Sequence, residues 1–460
     1  MKKTIKLMLV VLMVLTMIAS TIACSSGDTS SSQSTDSTNS EDVSSSTDEG
    51  AKQGSGDKIT VTLQTWNPGP EPMDLEIIED FENKNPGLEL NYVFVPYSDH
   101  IQKLKIDLSS GQGPDVFGMQ TGAPLREFRD FEMPLSSYAV ETWGENWKDK
   151  FLPFGMELLD EGEYYGLPLG LTYAGFVWAD VAMLDSYGLE IPTNLNELKE
   201  VTAALRKEGQ MPLVIGAKDD WINLDTWMNI ANDINSEKLY SAIEGKTPFT
   251  DEELVQSFEI WQSLFKEGVF QDGALGVNMY EDSTALFEKE GSVPMILNGS
   301  WTSGCYVSGD PQIYANFNDE GRSHQIFLMD WNNDGKPAPV AATIDVVLCM
   351  NKDSKHPDEA WKLIDYMLHD GQDILVNKFN YYCPSRADLE YDVEGMSEEG
   401  KRMLDFIIEQ AKNNVAGYRE NPYPELKQVI ADNLKALALE EVTPEEAAEA
   451  IEAASQAQQR

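Results

Sequence analysis

The sequence predicts an α/β fold, a parallel or mixed sheet with helices on its faces. Three observations carry this. Ile59 to Trp66 alternates apolar and polar residues and is rich in β-formers, then breaks at Asn67-Pro68-Gly69-Pro70. Residues 72–85 carry Met73, Ile77, Ile78 and Phe81 at helical spacing and stop before Pro86. Leu88, Leu90, Tyr92 and Phe94 alternate again as a second strand. Strand, helix, strand then repeats: a helix bearing Ile101, Leu104 and Leu108, then the short apolar strand Val116-Phe-Gly-Met119. Such alternation builds a sheet with covered faces. In these sheets ligands sit at the carboxyl ends of the strands. Trp66-Asn67 and Gln120-Thr121 fall at two such ends, which makes Trp66, Asn67 and Gln120 candidate ligand contacts. Packing of Trp66 against the first helix is an equal alternative.

Further elements follow in order. Glu163 to Gly170 is turn-rich and leads into an apolar strand, Tyr173 to Trp178. Ile191-Pro-Thr-Asn194, with Glu197 three residues on, reads as a capping-box start for a helix ending near Gly209. Pro212 to Gly216 is a strand; Trp221 to Ile234 and Leu254 to Phe265 are helices. Val293 to Leu297 is a strand ending in Asn298-Gly299-Ser300-Trp301. Residues 340–350 are apolar and extended, residues 357–369 helical, and the chain from 398 onward reads as nearly all helix. Thr443-Pro444-Glu445-Glu446 supplies a cap and a first-position proline for the last helix. No internal repeat is visible.

The 460 residues hold 34 Lys+Arg against 78 Asp+Glu, a formal net charge of −44. So acidic a surface repels phosphate backbones and anionic bilayers, which excludes nucleic-acid partners. At 42% apolar and 10% aromatic the composition is globular. The start is not part of the fold. Lys2, Lys3 and Lys6 precede an apolar run from Leu7 to Ile18, then small residues and Ala23-Cys24: a secretory signal over 1–23. Residues 25–57 contain 12 Ser and 4 Thr and cannot bury a core, so 24–57 is a solvated tether. Of four cysteines, Cys305, Cys349 and Cys383 have no metal-ligand spacing and read as buried small hydrophobes.

Thr21-Ile22-Ala23-Cys24 resembles a bacterial lipobox, which implies a lipid on Cys24 and a membrane anchor on the extracellular face. The body resembles the extracellular solute-binding proteins of ABC importers, in the carbohydrate group that includes maltose-binding protein. The marks are Gly113-Pro-Asp-Val-Phe117, Tyr165-Gly-Leu-Pro168, Ile191-Pro-Thr193, Met295-Ile-Leu-Asn-Gly-Ser-Trp301, Asn351-Lys-Asp-Ser-Lys355 before Pro357-Asp-Glu-Ala-Trp361, Pro384-Ser-Arg386 and Val442-Thr-Pro-Glu-Glu446. Thr343-Ile-Asp-Val-Val347 departs from the glycine-rich segment that many relatives carry there. The resemblance implies two α/β lobes with a ligand cleft between them: 58–169 plus 340–393, and 170–339 plus 394–460 with its helical C-terminus. Crossings would fall near 168–172, 338–342 and 390–398, with closure by hinge motion. It implies a sugar or short oligosaccharide as ligand, ABC permease subunits with a separate ATPase, and a monomer without cofactor.

A sugar site needs flat aromatics under the ring and polar groups at its edge. Trp301 follows a buried strand and a Gly-Ser turn, and the family has a stacking tryptophan at the matching position; a core role is the alternative. Thr172 and Tyr173 follow the Tyr-Gly-Leu-Pro segment, where the family presents a ligand contact near the hinge. Trp221 and Trp331 are further platforms. Asp345 lies in an apolar stretch and needs a partner, either ligand hydroxyls or a backbone cap. Asp115 is structural, and Arg386 contacts ligand or braces a loop. Asp330-Trp-Asn332-Asn-Asp334-Gly335 begins like a calcium loop, but its closing acidic position falls on Ala341, so a polar turn and no metal is expected. Phosphate-loop and hydrolase-elbow signatures are missing, so no enzyme is expected. The alternatives are a surface-anchored carbohydrate-active enzyme, or capture of a non-sugar solute such as a polyamine.

Overall fold

A computed structural model describes residues 58–66, 71–288, 292–302, 323–387, 393 and 396–458. The signal segment, the tether, Asn67 and Cys305 lie outside them. β1 (Ile59–Thr65) runs parallel to β2 (Leu88–Phe94), with α1 (Glu71–Lys84) crossing between. Met73, Ile77 and Phe81 are buried on one face of α1, as their spacing requires. α2 (Tyr97–Ser109) leads to β3 (Val116–Met119), parallel to β1 on its other side.

β4 (Gly166–Ala174) is buried throughout and joins the same sheet. The expected strand from 173 to 178 is broken at Gly175, whose φ of 112° suits only glycine. After it β5 (Phe176–Asp180) enters a second sheet. That sheet is filled by β6 (Leu213–Val214), β7 (Met295–Asn298) and β8 (His324–Leu328), in the order β6-β7-β5-β8. Its helices include α3 (Leu195–Lys207), α4 (Asp220–Ile243) and α5 (Glu252–Lys266). Asn194 caps α3 by accepting from Glu197 N at 3.0 Å. The helix expected to stop at Ile234 kinks there instead. Asn235 takes non-helical angles, and its Oδ1 accepts from Lys238 N to start the second half of α4.

β9 (Val340–Met350) returns to the first sheet, and it is buried at every position except Asp345. Beyond it come α6 (Pro357–Leu368), β10 (Cys383–Pro384) and α7 (Glu398–Asn413). The first sheet runs β10-β4-β9-β3-β1-β2. The reading of everything past 398 as helix is corrected at one place. β11 (Val415–Tyr418) pairs with β9 in parallel, beside Val340 to Ala342. α8 (Pro424–Ala438) and α9 (Pro444–Ala457) then pack on the second lobe; α9 has the expected cap at Thr443 and proline at Pro444, and Glu446 completes a capping box. Trp261 Nε1 donates to Leu434 O at 2.8 Å, which ties α5 to α8.

The structure thus has the two-lobed α/β form expected, with shifted limits. β4 stays antiparallel to β9 down to Ala174, so residues 170–174 belong with the first sheet, not the second lobe. The first crossing is Gly175 rather than 168–172. The second lies between β8 and β9, and the third falls largely outside the described residues. One side chain ties the first two crossings together. Asn229 of α4 donates to Pro339 O at 3.0 Å, and its amide lies where a Cβ on Gly175 would be, 2.3 Å away. Alanine at 175 therefore meets both a disfavoured backbone region and a clash. We expect Gly175→Ala to cost about 1–3 kcal/mol, read as a lower midpoint in urea unfolding; an unchanged midpoint would remove the crossing's dependence on glycine.

Candidate functional site

β9 has β3 alongside its C-terminal half and β11 alongside its start, both on the side away from β4. Between the ends of these two neighbours β9 exposes Thr343 to Val346 to the chain segments leaving them. Gln120 and Thr121 leave β3 there, and Arg419 and Glu420 leave β11. Thr121 Oγ1 lies 2.7 Å from Thr343 Oγ1, and Arg419 N donates to Ala342 O at 2.8 Å. Asp345 is the polar residue at the centre of this gap.

A cavity of about 350 Å³ opens over it, between the lobes. The first lobe contributes Trp66, Tyr97, Gln120, Tyr381, Tyr382 and Asp345; the second contributes Trp221, Tyr280, Thr284, Glu288, Trp301 and Thr302. Arg419 and Glu420 complete the wall. The shape and lining, aromatic with a few convergent polar groups, are those of a small-molecule site.

Each aromatic is fixed by its neighbours. Trp66, at the end of β1, meets Tyr97 and His100 edge-on at 5.8 and 5.1 Å. Tyr97 donates its hydroxyl to Gln120 Oε1 at 2.6 Å. Trp301 stands on the short turn Ser300–Thr302 after β7. Its indole folds over Gly299, so closely that a Cβ there would lie 1.9 Å from the ring. Ser300 Oγ accepts from Tyr173 N at 2.9 Å and holds this turn against the end of β4. Trp221, in the first turn of α4, meets Trp301 edge-on at 5.7 Å and stacks on Tyr280 at 5.6 Å.

The electrostatics centre on Arg419. Its Nε donates to Asp225 Oδ1 at 2.8 Å, with both side chains buried. The guanidinium lies 4.5 Å from the Trp301 ring centroid and 5.8 Å from that of Trp221, a cation–π arrangement. Burial works against the charge, but Asp225 outweighs it and holds Arg419 protonated above its ordinary range. Glu420 pairs with Lys427. Burial pushes the Asp345 carboxyl up to about 6; Arg419 opposes this, and Glu420 adds to it. Asp345 makes no hydrogen bond to the described residues. Trp301 Nε1 and Thr284 Oγ1 are also buried without a partner among them. Carboxylate, indole N–H and hydroxyl are the donor and acceptor set that a polyhydroxylated ligand would match.

Of the residues read from sequence, Trp66, Gln120, Trp221, Trp301 and Asp345 come together in the cleft. Asn67 lies outside the described residues. Three others are placed elsewhere. Trp331 is 0% exposed; its Nε1 donates to Asn229 Oδ1 at 2.7 Å, so the ring braces the crossings and no cleft platform remains there. Thr172 is buried in β4, paired in register with Thr343. Tyr173, whose hydroxyl burial pushes well up, lines a separate apolar cavity of about 680 Å³ between β4, β10 and α7. Arg386 lines that cavity too and donates to Leu368 O at 2.8 Å. Asp115 accepts from Thr62 N and Ser354 Oγ, as a turn residue would. Asp330 accepts from Asp334 N and Gly335 N at 3.0 and 2.8 Å, closing the polar turn. Cys349 and Cys383 are buried. Sequence reasoning missed Tyr97, Tyr280, Thr284, Arg419 and Glu420. Arg419-Glu420 sits just past a four-residue strand in a stretch that reads as helix. A charged pair beside Gly417-Tyr418 was the available signal.

A two-lobed body with an aromatic and polar cleft at its junction defines a protein that captures a solute. The chain belongs to the bacterial extracellular solute-binding proteins, whose pattern it matches over residues 68–374. This is a family of binding proteins and not of enzymes, which sets the carbohydrate-active enzyme aside. The chain is 22% identical over 326 residues to the multiple sugar-binding protein of Streptococcus mutans, covering 69% of this chain and 73% of that one. Its fold is similar to a solved structure from work on xylan utilization by the thermophilic bacterium Caldanaerobius polysaccharolyticus. The TM-score is 0.74 at 19% identity, over 86% of this chain and 99% of that one. The maltose-bound MalE3 of T. maritima matches with a TM-score of 0.67 at 20% identity, over 86% and 99%.

Asp345 gives the site a stability signature. Its folded pKa lies above the ordinary aspartate value of 3.8, so the folded chain holds a proton that the unfolded chain releases between about 4 and 6. Ionisation therefore lowers stability as pH rises through that window, and the cost persists above it. We expect Asp345→Asn to raise stability by about 1–2 kcal/mol near neutral pH, once screening by cleft water is allowed for, and to gain nothing near pH 4. Thermal melts at the two pH values check this; equal gains at both would rule out Asp345 as the source.

Proposed function

We propose that this protein is the membrane-tethered capture subunit of an ABC importer for a sugar or short oligosaccharide. One observation carries the reading: Asp345, without a hydrogen-bond partner among the described residues, sits in a cleft floored by the faces and edges of Trp66, Trp221, Tyr280 and Trp301. Apolar ring faces match the C–H faces of a pyranose, and the carboxylate and guanidinium match its hydroxyls. The names of similar proteins support it: xylan utilization, a maltose-bound protein and a multiple sugar-binding protein. Each is only distantly similar, so the sugar is not carried over.

The mechanism follows from the hinge. With the lobes apart, a saccharide lies against the second lobe's Trp221, Trp301 and Tyr280. Rotation about Gly175 and the β8–β9 connection brings Trp66, Gln120 and Asp345 to its other side. Binding energy from both halves stabilises the closed form, and the closed form is what a permease recognises. Arg419 keeps the Trp301 ring fixed throughout. A separate ATPase powers release into the cell. The signal at 1–23, a lipid on Cys24 and the Ser/Thr-rich tether would hold the monomeric body at the outer face of the membrane. Among the described residues no helix is long and apolar enough to cross a membrane.

Titration of the protein with neutral oligosaccharides, followed by tryptophan fluorescence and calorimetry, tests capture. At least one sugar should bind, and Trp301→Ala should weaken that sugar about tenfold or more, the worth of a lost ring contact. A flat response across xylo-, malto- and chito-oligosaccharides would refute the sugar reading. The anchor is tested separately. Cys24→Ser should move the protein from the membrane fraction to the medium, and continued membrane retention would contradict lipidation at Cys24.

A further inference from the structure

Two chain segments of the second lobe meet more tightly than packing alone requires. After β6, Gln271 pins the main chain of Ile215 from both sides: its Oε1 accepts from Ile215 N at 3.0 Å and its Nε2 donates to Ile215 O at 2.6 Å. The next residue, Gly216, lies directly under the backbone of Met279. A Cβ on Gly216 would stand 2.2 Å from Met279 Cα and N and 2.5 Å from Asn278 C, all main-chain atoms that cannot swing aside. Two hydrogen bonds continue the contact. Lys218 N donates to Val277 O at 3.2 Å, and Met279 N donates to Asp219 Oδ2 at 2.8 Å. Asp219 is the cap position of α4, yet its carboxylate makes no bond to its own helix and serves the other segment instead.

What the two segments carry is part of the cleft. Asp219 is followed within two residues by Trp221. Met279 opens a π-helical turn, Met279–Thr284, which presents Tyr280 and Thr284 to the cavity. Such turns are rare and concentrate at functional sites. Met279 is fully buried, whereas Tyr280 is 41% exposed at the cleft mouth and stacked on Trp221 at an interplanar angle of 26°. The stack has one ring from each segment, so its spacing is set where the segments touch.

We propose that Gly216 and Asp219 are positioning residues for ligand capture, which register the Trp221–Tyr280 pair at the mouth of the cleft without touching the ligand. This rests on the sugar-capture reading. Gly216 sets how close the π-helical turn can come, and Asp219 holds it there.

The test reads the aromatic pair and the binding separately. Near-UV circular dichroism of the ligand-free protein reports the pair. Calorimetry with maltotriose and xylotriose reports binding. Gly216→Ala and Asp219→Ala should each change the aromatic dichroism and weaken binding about tenfold. Asp219→Asn, whose amide oxygen still accepts from Met279 N, should restore both. In a Tyr280→Ala background Gly216→Ala should add less than about a twofold loss, because coupled residues are not additive. Unchanged dichroism in Gly216→Ala, an Asp219→Asn variant as weak as Asp219→Ala, or an undiminished Gly216→Ala loss without Tyr280 would each overturn the assignment. Should the unsubstituted protein bind neither sugar, the capture reading loses those ligands, while the dichroism still decides the positioning.

Discussion

The buried ion pair between Arg419 and Asp225 is the constraint on which the cleft depends. Two charges taken out of water cost more than most pairs return, unless geometry and further contacts compensate. Here the compensation is visible. The Arg419 main chain is held by Ala342 of β9, its Nε by Asp225 of α4, and its face by Trp301. One side chain therefore joins the large sheet, the second lobe's long helix and the indole after β7. A buried pair of this kind is weak evidence for net stability, and its visible effect here is to fix the arrangement of the three elements. Without it Trp301 would keep its Gly299 backing but lose its charged neighbour, and β11 would keep only a short ladder to β9.

The sheet explains why the site forms where it does. β9 is antiparallel to β3, so the carboxyl end of β3 points toward the start of β9, where β11 runs parallel. Two strand ends face each other across Thr343 to Val346. Loops leaving them must turn out of the sheet plane, and they bring Gln120 and Arg419-Glu420 to one place. An apolar residue at 345 would continue the buried run on either side. Asp345 interrupts it at the one stretch where β9 has a strand on one edge only, that of β4, and there a polar side chain can face the cavity. Of residues 343–347, Asp345 lines the cavity while its neighbours are buried.

Much of this was legible in the sequence, for reasons of period. The alternation of β1, α1, β2, α2 and β3 fixed where strand ends fall, and with them Trp66 and Gln120. A charged residue in an apolar run marked Asp345, and a turn after a buried strand marked Trp301. What failed was local in each case. Trp331 reads like Trp301, an indole beside a turn, but its partner Asn229 lies far away in the chain and draws it into the core. Thr172 and Tyr173 read as hinge contacts, yet the strand does not end until Gly175. Tyr280 belongs to a π-helical turn, whose period matches neither template used for helices or strands. Arg419 follows a strand of four residues whose β character comes from its parallel partner rather than from its own composition.

The protonation state of Asp345 links stability and capture. A carboxylate that could have been a leucine or an alanine in β9 is retained where burial penalises its charge and Glu420 adds to the penalty. Arg419 relieves only part of it, because its Nε is committed to Asp225. Hydroxyl groups brought within reach would supply what the described residues do not, and hydrogen bonds to an ionised acceptor are the stronger kind. Under the proposed capture of a sugar, the free energy lost in keeping the charge would be recovered on binding, and closure would favour a ligand that can donate there. On that reading, a residue that weakens the fold in this way is where the cleft would distinguish a hydrogen-bond donor from an apolar molecule of the same size.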